Sequence, residues 1–332
     1  MAPDDYVDLL IVGGGINGTG IARDAAGRNL KVVLVEKGDL AAATSSASSK
    51  LVHGGLRYLE HYEFRLVREA LMERERLFAI APHIIRPLQF VLPYVEGLRP
   101  RWMIRLGLMF YDHAGGRRRL PTSRRVALAG AGFGRALRKE IRNGFVYSDY
   151  WVDDSRLVVL NAMDAAARGA QIHVRTELIS ATPDKDQWKV VCKDLVAGRS
   201  REFRARAVVN AAGPWVGEII NRFSASRGTT TQVRLVKGSH IVVPQLYDGD
   251  QVFTLQHPDG RVVFTIPYEG GFTLIGTTDV PFEGDAATAA ISADETRYLC
   301  DTVSQYFVGR RIGPADVKWS YAGVRPLFDD EA

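Results

Sequence analysis

Three glycines, Gly13, Gly15 and Gly18, stand in the spacing G-x-G-x-x-G directly after the apolar run Val7 to Val12. Glycine at the first position permits a tight turn, at the second it removes the side chain where a pyrophosphate must approach, and at the third it lets helix and strand pack closely. The chemistry served is dinucleotide binding at a helix N-terminus, with Asn17 in the first turn. Glu36 follows Gly18 by 18 residues, at the end of the next apolar run, where a carboxylate accepts hydrogen bonds from an adenosine ribose. That carboxylate argues against a 2′-phosphorylated cofactor.

The fingerprint alone does not separate NAD from FAD. No second complete G-x-G-x-x-G occurs, so a separate nicotinamide site is not evident. Asn210-Ala211-Ala212-Gly213-Pro214 supplies another small-residue strand end suited to close approach of the same cofactor, so one group must carry the redox chemistry, which favours FAD. The hydroxyls of Thr44, Ser45, Ser46, Ser48 and Ser49 offer bonds to a pyrophosphate or ribityl chain; a capped, solvated loop is the competing reading. His53, beside Gly54 and Gly55, either contacts the cofactor or closes a turn. His240 has the side chain of a general base, set against a hydrogen-bonded structural histidine. Thr277, Thr278 and Asp279 form a polar corner that lines a site or caps a β-turn.

The elements that must hold these residues begin with a βαβ unit: strand, glycine turn, a helix to about Asn29, and a strand from Lys31 to Val35. An amphipathic helix is expected from about Glu63 to Ala79, closed by Pro82. A helix near Asp154 to Arg168 leads into a strand at Ile172 to Val174. Strand-like stretches at Trp188 to Cys192 and Ala205 to Asn210 return to the nucleotide-binding sheet. From Gln232 to about Asp279 the pattern alternates, with turns at Pro258 to Gly260 and Glu269 to Gly271, as in an antiparallel sheet. The fold class is therefore α/β, a Rossmann-like FAD-binding domain interleaved with a mainly antiparallel β substrate domain. The boundaries drawn are 1–80 with 145–225 for the cofactor domain, 81–144 for a basic and apolar insertion, and 226–332 for the substrate domain.

The chain has 332 residues, 46% hydrophobic and 24% charged, which places it among soluble globular proteins. Its longest apolar runs fall far short of the ~20 residues that cross a bilayer, and no signal segment opens it, so a cytoplasmic location is expected. Two cysteines, Cys192 and Cys300, provide neither a disulfide framework nor a metal-binding spacing. The net charge of +5 is unevenly spread: residues 99 to 139 hold ten Arg and Lys139 against Asp112 alone. Such a patch calls for an anionic partner: nucleic acid, phospholipid or a phosphorylated substrate. No recognised nucleic-acid-binding module accompanies it, so nucleic acid is not expected.

The stretches GGGINGTGIARDAAGR, ATSSASSKLVHGGLRYLEHYEFRLVREAL, YSDYWVDDSRLVVLNA, VVNAAGPWV, LVKGSHIVVP, LIGTTD and YAGVRPL, from about residue 7 to 328, closely resemble the FAD-dependent glycerol-3-phosphate dehydrogenases of respiratory and mitochondrial type. These belong to the wider amino-acid-oxidase-like flavoproteins. SSKLVHGGLRYLE and KGSHIVVP in this order are the specific signals; the glycine fingerprint belongs to many families. The resemblance implies non-covalent FAD, oxidation of glycerol 3-phosphate to dihydroxyacetone phosphate, and quinone as electron acceptor. It assigns Arg57, Arg325, Tyr58 and Thr278 to the substrate, with Arg325 also stabilising the developing alkoxide. It makes His240 the base, adds His53, Gly54 and Gly213 to the cofactor contacts, and suggests a homodimer. The basic segment from Arg99 to Arg125 would then rest on an anionic membrane face, or pack as an ordinary helix with a solvated arginine side. Members of the family continue beyond this point with a Gly-Gly-Lys-[Leu/Ile]-Thr-Thr-Tyr-Arg-like segment that closes on the flavin, so incomplete flavin binding and turnover are expected of these 332 residues. An oxidase of an amine or 2-hydroxy acid on the same fold is the enzymatic alternative, and a non-catalytic nucleotide-binding remnant the other.

Overall fold

A computed structural model describes residues 6–95, 99–116, 119–130, 132–223, 233–257, 259–309 and 311–328. Strand β1 (Tyr6–Val12) runs through the glycine turn into helix α1 (Ile16–Gly27) and β2 (Val32–Val35). After the hydroxyl-rich loop come β3 (Leu51–Val52), α2 (Phe64–Ile80), β4 (Ile85–Tyr94), α3 (Arg101–Ala114), β5 (Arg124–Ala127) and β6 (Asn143–Val152). Helix α4 (Asp154–Ala167) leads to β7 (Gln171–His173), β8 (Thr176–Asp184), β9 (Gln187–Asp194), β10 (Ser200–Asn210) and α5 (Val216–Ile220). The chain continues through β11 (Val233–Pro244), β12 (Val252–Gln256), β13 (Val262–Tyr268), β14 (Phe272–Gly276), β15 (Val280–Pro281), α6 (Ala293–Tyr306) and β16 (Trp319–Phe328).

These strands form two sheets. The smaller runs β7-β2-β1-β10-β9-β8, with β7, β2, β1 and β10 parallel and the hairpin strands β9 and β8 antiparallel. All four residues of β2 are buried, as a strand covered on both faces requires. Helix α1 turns Gly18, Thr19, Ala22, Ala25 and Ala26 inward, and these small side chains let it lie close to Ile11 and Leu34. Arg23 fastens it to α4 through Asp164 at 2.6 Å.

In the larger sheet β11 pairs with β14 and, along ten residues, with β16, setting His240 opposite both Gly276 and Tyr321 and Val236 opposite Arg325. Its path continues through β13, β12, β4, β6 and β3. Helices α2 and α3 bring Val67, Leu71 and Leu108 onto Phe90, Phe145, Val252 and Ile266. Helix α6 brings Leu299 and Val303 onto Ile241, Phe253 and Val263. A capping box starts α6: Ser292 accepts the Glu295 N–H while Glu295 accepts the Ser292 N–H.

Two sequence boundaries need correction. The segment 81–144 is no appended insertion, because β4 lies inside the large sheet, paired with β6 over ten residues and with β12. Strand β6 itself, drawn as cofactor domain from residue 145 onward, belongs to that same sheet. Both strands are buried along most of their length, so they lack the alternation that marks a half-solvated antiparallel strand. The expected turn at 258–260 lies partly outside the described residues, at Pro258; Gly260, at φ +83°, has the left-handed conformation that favours glycine.

Candidate functional site

The fingerprint forms the end of β1 and the start of α1. Gly13 adopts φ +115°, and a Cβ there would overlap the Ala211 carbonyl at the end of the adjacent parallel strand β10. A Cβ on Gly18 would overlap the Gly13 carbonyl oxygen. Gly15 differs: a Cβ would meet the Ser45 hydroxyl at 3.0 Å and otherwise open space, leaving room for a ligand against the backbone. Ser45 Oγ accepts the Ile16 N–H at 3.0 Å. Asn17 is exposed in the first turn, and its N–H and that of Gly18 are groups a helix leaves without an intrahelical acceptor. Glu36 at the end of β2 accepts Gly14 N–H and Gly38 N–H, each at 2.6 Å, so its carboxylate is fixed beside the turn. Gly213, at φ +54°, has nothing within 4 Å of its Cβ position. The cradle is built of backbone, with side chains absent where an anion would come close.

The remaining hydroxyls expected on the cofactor have protein partners. Thr44 donates to the Val324 carbonyl on β16 at 2.6 Å, and Ser46 to Ala43 O at 3.1 Å. Ser48 donates to Asp154 at 2.7 Å, and Lys50 Nζ reaches the other oxygen of that carboxylate at 2.7 Å. The loop is thereby tied both to α4 and to the large sheet.

A cavity of about 1550 Å³ opens against the large sheet. It brings together Ser49 from the loop before β3, His53, Arg57 and Tyr58 from the segment after β3, Thr277 and Asp279 after β14, and Arg325 of β16. Arg57 and Tyr58 are exposed, and Arg57 has no carboxylate partner among the described residues. Arg325 is bound to Asp279 at 3.2 Å and remains half-exposed. His53 is accessible from the cavity yet surrounded by protein; burial lowers its pKa, Asp149 acts in the opposite sense and Arg74 adds to the lowering. Its Nδ1 accepts the Gly55 N–H at 3.0 Å, so in the neutral ring the proton lies on Nε2.

Two expected site residues are not on this wall. His240 is 3% exposed and sits behind Ser49, whose Oγ lies 2.8 Å from its Nε2, with the ring stacked on Tyr321 at 4.8 Å. Desolvation, helped by Lys50 and Arg325, depresses its pKa to about 3. A histidine so buried favours its neutral form, and Ser49 stands between it and the cavity, so the geometry supports His240 as base less directly than it supports a residue on the wall. Thr278 is likewise enclosed: its hydroxyl donates to Glu295 at 2.8 Å and accepts the Ser239 N–H at 2.9 Å. Burial alone would raise the Glu295 carboxyl, but Lys237, the Ser292 N–H and the Thr278 and Ser239 hydroxyls hold it at about 2. Thr278 therefore serves this internal network, and its neighbour Thr277 faces the cavity.

Sequence reasoning missed Asp149, Tyr147, Thr254 and Arg234, all on the cavity wall. The available signal for Asp149 was an acid inside YSDYWV, a run otherwise suited to a strand buried on both faces. No group of three or more His, Cys, Asp or Glu suited to a metal ion occurs among the described residues.

Comparison with known proteins places this geometry. The FAD dependent oxidoreductase family, DAO, matches residues 8–332. The D-erythritol 1-phosphate dehydrogenase of Brucella abortus is 53% identical over 330 residues, 99% of this chain and 65% of that protein. A glycerol-3-phosphate dehydrogenase of Pseudomonas aeruginosa is 55% identical over 328 residues, 99% of this chain and 63% of that protein. The crystal structure of the glycerol-3-phosphate dehydrogenase from Bacillus halodurans, complexed with FAD, is 31% identical with a TM-score of 0.75, over 98% of this chain and 58% of that one. The chain thus spans less than two thirds of the length of each of these three relatives.

Proposed function

Because this chain belongs to the FAD-dependent oxidoreductase family, we propose that it is the cofactor- and substrate-binding part of an enzyme that oxidises a short polyol phosphate, glycerol 3-phosphate first, at a secondary alcohol. The observation that carries the reading is the cavity wall on which Arg57, Arg325 and His53 face a common space, Arg325 held there by Asp279. The residues fit FAD: Gly15 leaves open backbone at the helix N-terminus, and Glu36 is fixed beside it. Bound FAD supplies the acceptor for the hydride from the alcohol carbon.

The protein's own contribution is binding, orientation and the proton. Arg57 offers a planar guanidinium to the phosphate, and Arg325 meets the hydroxyl end, where charge develops as the proton leaves. His53 takes up that proton in place of His240. To accept it at Nε2 the ring must use its other tautomer, giving up the Gly55 bond at a cost of about 1 kcal/mol. D-Erythritol 1-phosphate is the second substrate, supported by a relative of nearly equal identity that carries that name. Quinone as electron acceptor belongs to this reading, as does an anionic membrane surface against α3. Trp102, Leu106 and Met109 are exposed there beside Arg99, Arg101 and Arg105, and no helix among the described residues is long and apolar enough to cross a membrane. The domain division is proposed by sheet, one carrying the nucleotide turn and the other the cavity.

Anaerobic mixing of the flavin-loaded protein with glycerol 3-phosphate, D-erythritol 1-phosphate, glycine and 2-hydroxy acids tests the proposal. Bleaching of the flavin by the phosphates and not by the others is expected. Bleaching by an amine or a 2-hydroxy acid, with none by either phosphate, would overturn it.

A further inference from the structure

A set of charged side chains runs from Asp149 on the cavity wall into the core behind it, and the proposed chemistry assigns it no part. Asp149 of β6 and Arg74 of α2 are 1% and 6% exposed and paired at 2.6 Å. Tyr111 of α3 donates its hydroxyl to the second oxygen of Asp149 at 2.8 Å, and accepts the Gly54 N–H at 2.6 Å. Glu75 takes the other guanidinium nitrogen of Arg74 at 3.0 Å. Both oxygens of Asp149 are therefore acceptors, the arrangement of an ionised carboxylate. A Cβ on Gly54 would lie 2.9 Å from the Tyr111 ring, so this peptide is pressed onto the network.

Such a cluster is poor cement. Desolvation of a buried ion pair offsets most of its Coulomb attraction, and apolar side chains would join α2, α3 and β6 equally well. Arg74 Nε and Glu75 Oε2 are buried without a hydrogen-bond partner, a further cost. Position accounts for the cluster better than stability does. The chain of bonds ends at Gly54, the residue after His53, and Asp149 lines the cavity that His53 lines.

We infer that Asp149 is a positioning residue for His53: through Tyr111 it fixes the Gly54 peptide, and its carboxylate stabilises the imidazolium formed when His53 takes the substrate proton. The inference rests on the reading of His53 as proton acceptor. The charges facing His53 are Asp149 from β6 and Arg74 from α2, acting in opposite senses, while Phe264 of β13 packs near the ring at 6.2 Å. Tyr111 of α3 and Tyr147 of β6 are pushed far up by burial and stay neutral. Burial also pushes the Asp149 carboxyl up, with Arg74 and His53 opposing. The imidazole and the carboxylate thus favour each other's charged form.

The test is an NMR titration of the His53 ring, its signal identified by its loss in His53→Gln, combined with the pH profile of kcat/KM. In Asp149→Asn the His53 midpoint should fall by about one unit, since a nearby opposite charge shifts a pKa by roughly 1–3 units. The acid limb of the profile should move the same way, and kcat should drop about tenfold. Tyr111→Phe keeps the charge and removes the anchor; kcat should fall with the midpoint almost unmoved. An unchanged midpoint in folded Asp149→Asn, or unchanged kcat in Tyr111→Phe, overturns the inference. Should His53→Gln keep full turnover while the midpoint still follows Asp149, the proton-acceptor reading fails and the coupling stands.

Discussion

Lowering the pH puts the placement of His240 to a direct test. In the unfolded chain an imidazole titrates near 6.5, whereas in the fold His240 is held at about 3, chiefly by desolvation and further by Lys50 and Arg325. Between those values the unfolded state binds the extra proton. The stability this residue contributes is therefore present above about pH 6.5 and lost progressively as the pH falls toward 3. From pH 7 to pH 5 the loss works out at about 2 kcal/mol, with the folded state still unprotonated at this position. His240→Gln removes the titration and keeps an amide able to bond Ser49. Urea unfolding of both proteins at pH 7 and pH 5 measures the difference. The variant should lose about 2 kcal/mol less than the parent over this interval. Glu295, held at about 2, adds its own loss only as the pH drops below its ordinary range near 4.5, and it does so equally in both proteins. Equal losses in parent and variant would mean that His240 is not buried in its neutral form and that the argument against it as a base fails.

Arg325→Ala should lower kcat/KM for glycerol 3-phosphate by several orders of magnitude, each lost charged donor costing roughly 2–4 kcal/mol, with lysine restoring only part; steady-state kinetics near the parent values would remove Arg325 from the site. Gly18→Ala should weaken FAD binding at least a hundredfold in a flavin-fluorescence titration, because the new methyl meets the Gly13 backbone and not a movable side chain. An unchanged Kd would show that the turn can yield. Thr278→Val should cost about 1–3 kcal/mol of stability by leaving Glu295 and the Ser239 N–H short of a partner, while KM stays put. A raised KM at unchanged stability would return Thr278 to the substrate.

The amino-acid sequence by itself determined the nucleotide-binding unit. A glycine is needed where a backbone must cross another or meet an anion, so the spacing of Gly13, Gly15 and Gly18 before a helix, and of Glu36 after the next strand, is legible without coordinates. Helix α2 was legible from its amphipathic period, and α4 from its pattern, to within a residue or two. Tertiary structure alone decided which polar side chains share the cavity. Thr277 and Thr278 are neighbours in sequence, yet only the folded chain shows that Thr278 bonds Glu295 and Ser239 in the core while Thr277 lines the cavity. Both His53 and His240 have the right chemistry for a base, and what separates them is burial: β11 lies between β14 and β16, with Tyr321 stacked on the His240 ring. The Asp149–Arg74 pair joins residues 75 positions apart whose charges read singly as surface. A buried strand such as β6 carries no alternation to reveal its faces, so its place in the large sheet and the partners of its one buried acid emerge only when the chain has closed on itself.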